Sequence, residues 1–264
     1  MPNQDALGWQ PTPSGNLAIA VADGHGSQAC FRSGTGAELA VKIALELLAG
    51  FDLAIDFSRE YLDDVENDLK HRLIARWRDA VAAHLSLAPF TPEEMAKMSQ
   101  GRRNGPWTPY GSTLLAAVAS ESHLFLLQIG DGDILMVSGG ASGAARVSRP
   151  WPRDTRLLGV ETTSLCTEDA ASNIRLRLEP LTPHHPRLVL LCTDGYSNSF
   201  RADSGFLKVG TDLLEMIDED GLESVESDLE GWLEEASRLG SGDDVTLGLL
   251  FRESNPENGE VNGD

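Results

Sequence analysis

The sequence predicts an α+β fold in which mainly antiparallel strands and helices form separate layers. Short apolar runs that end in turn residues, such as residues 17–22 and 188–193, are typical of buried strands. Residues 174–178 alternate apolar side chains with arginine, which indicates a half-exposed strand of an antiparallel sheet. Because helical stripes fall in other parts of the chain, the pattern argues against a doubly wound parallel sheet.

Three longer stretches have the apolar spacing of amphipathic helices. They cover residues 33–50, 58–87 and 222–239, and a shorter helix is predicted over 212–218. Residues 89–109 are rich in proline, glycine and polar side chains. This segment is predicted as a loop or flap, with a short helix opening near its Thr-Pro-Glu sequence.

The remaining apolar runs are predicted as strands. They cover residues 112–120, 123–129, 134–138, 187–193 and 245–251. With no repeat and no linker in view, residues 1–252 are predicted to form one domain. Residues 253–264 form an acidic tail with too few apolar side chains to bury, so they are predicted to be disordered.

Composition and charge exclude several function classes. The 264 residues include 21 basic and 41 acidic side chains, a net charge of −20, so the surface repels nucleic acids and anionic membranes. No apolar stretch approaches the roughly 18 residues of a membrane span, and the first residues show no export signal. Cys30, Cys166 and Cys192 lack CxxC spacing, which favours a reducing cytoplasm over a disulfide or zinc framework.

Acidic residues recur at the ends of the predicted strands. The acids are Asp23 after the run 17–22, Asp131 after 124–129, Asp194 after 188–193, and Asp243 before 245–251. If these ends converge, several carboxylates share one cleft, and a pair about 4 Å apart repels by roughly 4 kcal/mol at an effective dielectric near 20. Such a cluster needs protons or cations, and carboxylate oxygens favour Mg²⁺, Mn²⁺ or Ca²⁺ over zinc.

The order of these segments carries a resemblance to a known family. The segments are Asn3-Gln4-Asp5, Asp23-Gly24-His25-Gly26, Gly111-Ser112-Thr113, Gly130-Asp131, Asp194-Gly195 and Gly242-Asp243-Asp244-Val245-Thr246. One Asp-Gly dipeptide is weak evidence because it forms turns in many proteins. The ordered set, however, resembles the metal-dependent serine/threonine protein phosphatases of type 2C, bacterial branch. That family implies a four-layer α/β/β/α sandwich of two mainly antiparallel sheets flanked by helices, with two metal ions at one end.

The resemblance also implies roles for individual residues. The metal ligands it implies are Asp5, Asp23, Gly24, Asp131, Asp194 and Asp243. Asp23 is similar to the carboxylate that bridges two divalent cations, Mg²⁺ or Mn²⁺, and Gly24 to the residue that offers its backbone carbonyl. Asp131 resembles an acid linked to a weaker third metal site. Asp133, in the same turn, is predicted to be solvated.

The predicted function is hydrolysis of phosphoserine and phosphothreonine on protein substrates by a metal-activated water. His25 is the expected catalytic acid, which donates a proton to the leaving oxygen; its alternative role is to cap a turn. The expected partner is a phosphorylated protein, a protein kinase or its target, in the cytoplasm. Two alternatives stay open: a non-catalytic module of this fold that binds a phosphoprotein, and a phosphatase of small phosphorylated metabolites.

Two features depart from the family pattern. Family members carry a strand before the segment that resembles residues 3–5, often with a basic residue that grips the substrate phosphate, whereas this sequence begins two residues before Asn3. Arg32, Arg102 and Arg103 are the candidates for that grip, with a solvated surface position as the alternative for Arg32. Asp244 stands where the family usually has asparagine, and its role stays open.

Overall fold

The computed structural model of the chain describes residues 3–50, 59–100, 105–140, 143–152, 162–181 and 186–253. In chain order, the elements are β1 (Ala6–Pro11), β2 (Leu17–Ala22), α1 (Ser33–Ala49), α2 (Arg59–Leu87), α3 (Pro92–Gln100), β3 (Leu114–Ala119), β4 (His123–Ile129), β5 (Asp133–Gly140), β6 (Gly143–Ser148), α4 (Ala170–Asn173), β7 (Arg175–Pro180), β8 (Leu188–Cys192), α5 (Asp194–Ser197), α6 (Asp203–Asp220), α7 (Leu222–Ala236) and β9 (Leu247–Phe251). Arg102, Arg103 and the tail from residue 254 lie outside the described residues.

The strands form two antiparallel sheets. One has five strands in the order β1-β2-β3-β4-β7, and the other has four in the order β6-β5-β8-β9. Every neighbouring pair in both sheets runs antiparallel. The predicted α+β class with mainly antiparallel sheets is confirmed.

Three apolar clusters hold the four layers together. Between the sheets, side chains of β2, β3 and β4 pack on those of β5, β8 and β9. Helices α1 and α2 cover the outer face of the five-stranded sheet and bury Trp77, while α6 covers the other outer face with Phe206. Each large apolar side chain buried in this way contributes roughly 1.5–3 kcal/mol. Among the described helices, none combines the length and apolar character needed to cross a membrane.

The structure contains elements that the sequence pattern does not predict. Strand β1 alternates half-buried and exposed residues and carries Gly8, which weakens a strand prediction. A Cβ at Gly8 would lie 2.9 Å from Cγ1 of Val41 in α1, so the glycine lets the helix pack closely. Strand β6 is a short edge strand rich in glycine and alanine. Helix α6 starts at Asp203, earlier than predicted, because Phe206 packs into the core beside Tyr196.

The strand ends that carry acids lie at one end of the sandwich. Strand β2 ends directly before Asp23, and β8 ends shortly before Asp194. Cys192, the last residue of β8, pairs with the first residues of both β5 and β9. The turn before β5 and the loop before β9, which carry Asp131 and Asp243, therefore lie at the same end.

Candidate metal centre

Aspartates from distant parts of the chain meet at this end of the sandwich. Asp23 lies within electrostatic reach of Asp5, Asp131 and Asp194. Asp194 in turn lies within reach of Asp131 and Asp243. The strand ends thus converge as the sequence predicts, and the side chains at positions 23, 194 and 243 share one cleft.

The carboxyl groups of Asp23 and Asp194 interact directly. The hydrogen bond between them raises the pKa of Asp23 and lowers that of Asp194, so a protonated Asp23 would be its donor. Burial is the largest cause of the rise in the Asp23 pKa to about 9, followed by the charges of Asp5, Asp194 and Asp131. Burial also dominates the net rise in the pKa of Asp194. Two ionised carboxylates in so poorly solvated a cleft need a proton or a cation between them.

Asp5 is held in the cluster by two threonines. The Thr193 hydroxyl donates to Asp5 Oδ2 at 2.9 Å, and Thr246 also hydrogen bonds to this carboxyl group. The Thr193 hydroxyl oxygen accepts the backbone N–H of Thr246 at 3.0 Å. Burial raises the pKa of Asp5 to about 6 although both threonines oppose the rise. Asp5 Oδ1 is buried without a hydrogen-bond partner, so one acceptor in the cleft is left unsatisfied.

Two glycines let the backbone approach the cluster closely. The Gly24 N–H donates to the Gln4 carbonyl at 3.2 Å, and a Cβ on Gly24 would lie 2.7 Å from both that oxygen and the Ser33 carbonyl. A Cβ on Gly195 would lie 2.0 Å from the backbone oxygen of Asp244. Neither position can accept a side chain unless the acid-bearing segments move.

His25 lies in the turn that follows Asp23. Its backbone N–H donates to the Gly111 carbonyl at 3.1 Å, and its ring Cδ2 lies 2.8 Å from where a Cβ of Gly111 would be. Burial lowers the pKa of His25, and the charge of Asp131 opposes this only in part. The imidazole is therefore mainly neutral at pH 7 in the metal-free protein, whereas the sequence argument assumed a protonated donor.

The residues of the cleft fit divalent cations. Within the described ranges, no group of three or more His, Cys, Asp or Glu side chains stands in a finished metal-binding arrangement. The side-chain donors of the cluster are all oxygens, which Mg²⁺ and Mn²⁺ prefer. The cleft has an excess of acceptors and of negative charge, as the unpartnered Asp5 Oδ1 and the raised pKa values of Asp5 and Asp23 indicate. Bound cations would accept electron pairs from the free oxygens and would neutralise the charge.

Most of the chain matches a known family. A family model described as protein phosphatase 2C matches residues 1–234 of the 264-residue chain. The chain belongs to the protein phosphatase 2C family. Membership confirms the predicted family and the predicted class of enzyme, a serine/threonine protein phosphatase. No curated protein sequence matches the chain significantly.

Solved structures of bacterial phosphatases share the fold of this phosphatase 2C chain. The serine/threonine phosphatase Stp1 from Staphylococcus aureus is 15% identical with a TM-score of 0.62, and the match covers 96% of this chain and 90% of Stp1. The S. agalactiae serine/threonine phosphatase is 16% identical with a TM-score of 0.59, covering 95% and 93%. The catalytic domain of PstP, solved in complex with two manganese ions, is 18% identical with a TM-score of 0.52, covering 94% and 90%. At 15–18% identity, the likeness to these structures establishes the fold alone.

Arg32 of this phosphatase is not free to grip a substrate phosphate. Its guanidinium donates to both carboxylate oxygens of Glu94, at 2.8 and 2.7 Å, and to the Ala88 carbonyl and Tyr110 hydroxyl at 2.6 and 2.9 Å. The guanidinium also lies 4.7 Å from the centre of the Phe90 ring. These bonds use the donors of Arg32 to fasten α3 to the start of α1, which disfavours Arg32 as a phosphate ligand. The solvated alternative is wrong, since the side chain is 12% exposed.

Asp133 is buried, so the prediction that it is solvated is wrong. Its Oδ1 pairs with Nε of Arg149 at 2.5 Å, and Arg149 also pairs with Asp203 at the start of α6. As the first residue of β5, Asp133 lies opposite Cys192 inside the sheet and so cannot reach bulk water freely. The arginine compensates the charge, as a buried carboxylate requires.

Sequence reasoning assigned no role to the residues that hold the acids of the phosphatase in place. They are Thr113, Thr193, Asn198 and Thr246. The Thr113 hydroxyl oxygen accepts the backbone N–H of Asp23 at 3.0 Å, and the Asn198 amide donates to Asp194 Oδ2 at 2.9 Å. Three of the four lie within a few residues of Asp194 or Asp243 in the sequence, which is the signal that could have identified them.

Proposed function

We propose that this chain hydrolyses phosphoserine and phosphothreonine on protein substrates with two divalent cations, Mg²⁺ or Mn²⁺. The observation that carries the proposal is that the half-buried Asp5, Asp23 and Asp194 converge in one cleft, where each carboxyl group has a raised pKa. A phosphate ester adds about −1.5 to −2 charge at pH 7. The cleft can receive it only when bound cations reverse the local field.

The strand ends supply the proposed ligands. They are Asp5, Asp23, Gly24 through its backbone carbonyl, Asp194 and Asp243, with Asp131 for a third ion. Asp23 is the proposed bridging ligand because it interacts with acids on both sides of the cleft, Asp5 and Asp194. When bound, the two cations polarise the phosphoryl oxygens and lower the pKa of the attacking water.

His25 is the proposed proton donor to the leaving oxygen. The turn after Asp23 places it beside the acids, and its hydrogen bond to Gly111 holds the backbone. Because burial lowers its pKa, only a small fraction is protonated at neutral pH, and cations in the cleft reduce that fraction further. Because the alkoxide leaving group of a phosphothreonine peptide needs a proton and that of p-nitrophenyl phosphate does not, loss of this donor in His25→Ala should slow hydrolysis of the peptide much more.

The proposed substrate is a phosphorylated protein, and the finer proposal is a protein kinase or the target of that kinase, in the cytoplasm. The net charge of −20 favours phosphopeptides with basic flanking residues over acidic ones. Residues 1–252 are the proposed catalytic unit. Comparing rates on phosphopeptides and on a panel of small phosphorylated metabolites separates this substrate class from the metabolite alternative.

A non-catalytic module that binds phosphoproteins is the second candidate. Arg32 is engaged with Glu94, and in the described part of the chain no arginine or lysine is among the main influences on the pKa values of Asp5, Asp23 and Asp194. Among the described residues, bound cations are therefore the proposed holders of the substrate phosphate. A module of this kind would bind a phosphopeptide without turning it over.

The deciding experiment measures release of phosphate from a phosphothreonine peptide with Mn²⁺, with EDTA, and with two matched variants. Asp194→Asn removes a proposed ligand, and Asp228→Asn is the control because Asp228 is exposed on α7. We expect hydrolysis with Mn²⁺ that EDTA and Asp194→Asn abolish and that Asp228→Asn preserves. Turnover undiminished by EDTA contradicts the metal mechanism, and binding without turnover supports the module.

A further inference from the structure

Asp244 connects two segments that lie at opposite ends of the sequence. Its Oδ2 accepts the backbone N–H of Gln4 at 2.8 Å, across 240 positions of the chain. Its own backbone N–H donates to Oδ1 of Asp243 at 2.9 Å. Its carbonyl oxygen packs against Gly195 so closely that a Cβ on that glycine would lie 2.0 Å away. One residue thus contacts the N-terminal segment, the loop before β9 and the turn after β8.

Gln4 is held on its other side by the turn that carries Asp23. The Gln4 carbonyl accepts the Gly24 N–H at 3.2 Å, and its side-chain amide donates to the Ser33 hydroxyl at 2.6 Å. The backbone N–H of Gln4 donates to Asp244, which is the third hydrogen bond that holds Gln4. The next residue, Asp5, enters the cleft and bonds to Thr193, so any shift of Gln4 displaces the Asp5 carboxylate.

The carboxylate of Asp244 has a negative charge that the hydrogen bond to Gln4 does not require. A carbonyl oxygen of asparagine would accept the Gln4 N–H equally well, and asparagine is the residue of the family pattern. The aspartate brings a negative charge as well. This charge lies beside two proposed ligands, because Asp244 Oδ2 accepts the N–H of Gln4, the residue directly before Asp5, and the Asp244 N–H donates to Oδ1 of Asp243.

We propose that Asp244 is a positioning residue that fastens residues 3–5 to the metal centre through the Gln4 N–H and whose charge strengthens the binding of divalent cations. The inference rests on the proposed function, since it assigns Asp244 a part in the same site. The hydrogen bond and the charge are separable. Asp244→Asn keeps an acceptor of the same shape and loses the charge, and Asp244→Ala loses both.

The test compares wild type, Asp244→Asn, Asp244→Ala and the exposed control Asp228→Asn. Titration calorimetry with Mn²⁺ measures affinity, and amide hydrogen exchange of the metal-free proteins measures how firmly the N-terminal segment is held. We expect Asp244→Ala to weaken Mn²⁺ binding about 10–100-fold and to speed exchange of residues 3–5. Asp244→Asn should weaken binding by a smaller factor that shrinks at high salt, with exchange unchanged.

Two results would overturn the inference. If the amides of residues 3–5 exchange at the wild-type rate in Asp244→Ala, Asp244 does not position the N-terminal segment. If Asp244→Asn binds Mn²⁺ as tightly as wild type at low salt, the charge has no role. Failure of wild type itself to bind Mn²⁺ contradicts the proposed function instead, and exchange in the metal-free proteins still decides the positioning role. Because Asp244→Asn keeps the shape and the acceptor, it tests the charge even if Asp244→Ala does not fold.

Discussion

The Thr193 hydroxyl donates to Oδ2 of Asp5 at 2.9 Å, although 188 positions separate the two residues. Asp5 lies directly before β1 in the five-stranded sheet, and Thr193 directly follows β8 in the other sheet. The bond therefore spans the two sheets at the end where the acids converge. It makes the position of one proposed metal ligand depend on how the sheets pack.

Replacing Thr193 with valine tests this dependence. The residue is 2% exposed, so Thr193→Val leaves the Thr246 N–H without its acceptor and removes one of the two threonine donors to Asp5. We expect the free energy of unfolding to fall by about 1–3 kcal/mol and Mn²⁺ affinity to fall about tenfold or more. Denaturant unfolding and titration calorimetry measure these two effects. Thr193→Ser keeps the hydroxyl and should lose little; equal behaviour of the two variants would contradict the role.

The stability of the metal-free protein should fall as pH rises. The pKa of Asp23 is about 9 and that of Asp5 about 6 in the folded protein, against 3.8 ordinarily. The folded state keeps protons that the unfolded chain releases, so this stabilising contribution is complete below about pH 4 and is lost as pH rises through the folded pKa values. Relative to Asp23→Asn, the unfolding free energy of wild type should fall by at most about 1.4 kcal/mol per pH unit.

Excess Mn²⁺ should reverse this trend. Bound cations would displace protons from the carboxyl groups with raised pKa, and metal binding strengthens as these groups ionise. Thermal unfolding between pH 5 and about pH 8, with and without Mn²⁺, compares the two conditions. A metal-free protein whose stability rises over this range as steeply as the Mn²⁺-loaded one would contradict the raised pKa values.

A methyl group at Gly195 should disrupt the site. A Cβ there would lie 2.0 Å from the Asp244 carbonyl oxygen, so Gly195→Ala must push the loop before β9 away from Asp194. We expect weaker Mn²⁺ binding and a lower unfolding temperature. Gly231→Ala is the matched control, because no atom lies near its Cβ position on α7. That control should be neutral or stabilising by up to about 1 kcal/mol.

The Arg32–Glu94 pair should act on stability and not on phosphate binding. Both side chains are largely buried, so Arg32→Lys and Glu94→Gln should each lower the unfolding free energy by about 1–3 kcal/mol. Neither should change KM for a phosphopeptide substantially. A rise in KM confined to the Arg32 variant would show that the arginine grips the phosphate after all. Steady-state kinetics and denaturant unfolding on both variants decide the question.

The sequence by itself determined which acids are the candidate metal ligands and which strands present them. Asp23 and Asp194 each follow a run of buried residues, and this local pattern predicts acids at strand ends because strand formation depends on neighbours in the chain. The order of the motifs then identified the family. The antiparallel, helix-covered architecture followed from the separation of strand and helix patterns.

Only the tertiary structure decided which charges are paired. The pairing of Arg32 with Glu94 and of Asp133 with Arg149 was not predicted, because these partners come close only after folding. The contact between Asp244 and Gln4 has the same cause, since it joins the two ends of the chain. Hydrogen-bond partners and pKa values depend on burial and on charges that are distant in the sequence. Local sequence patterns therefore cannot predict them.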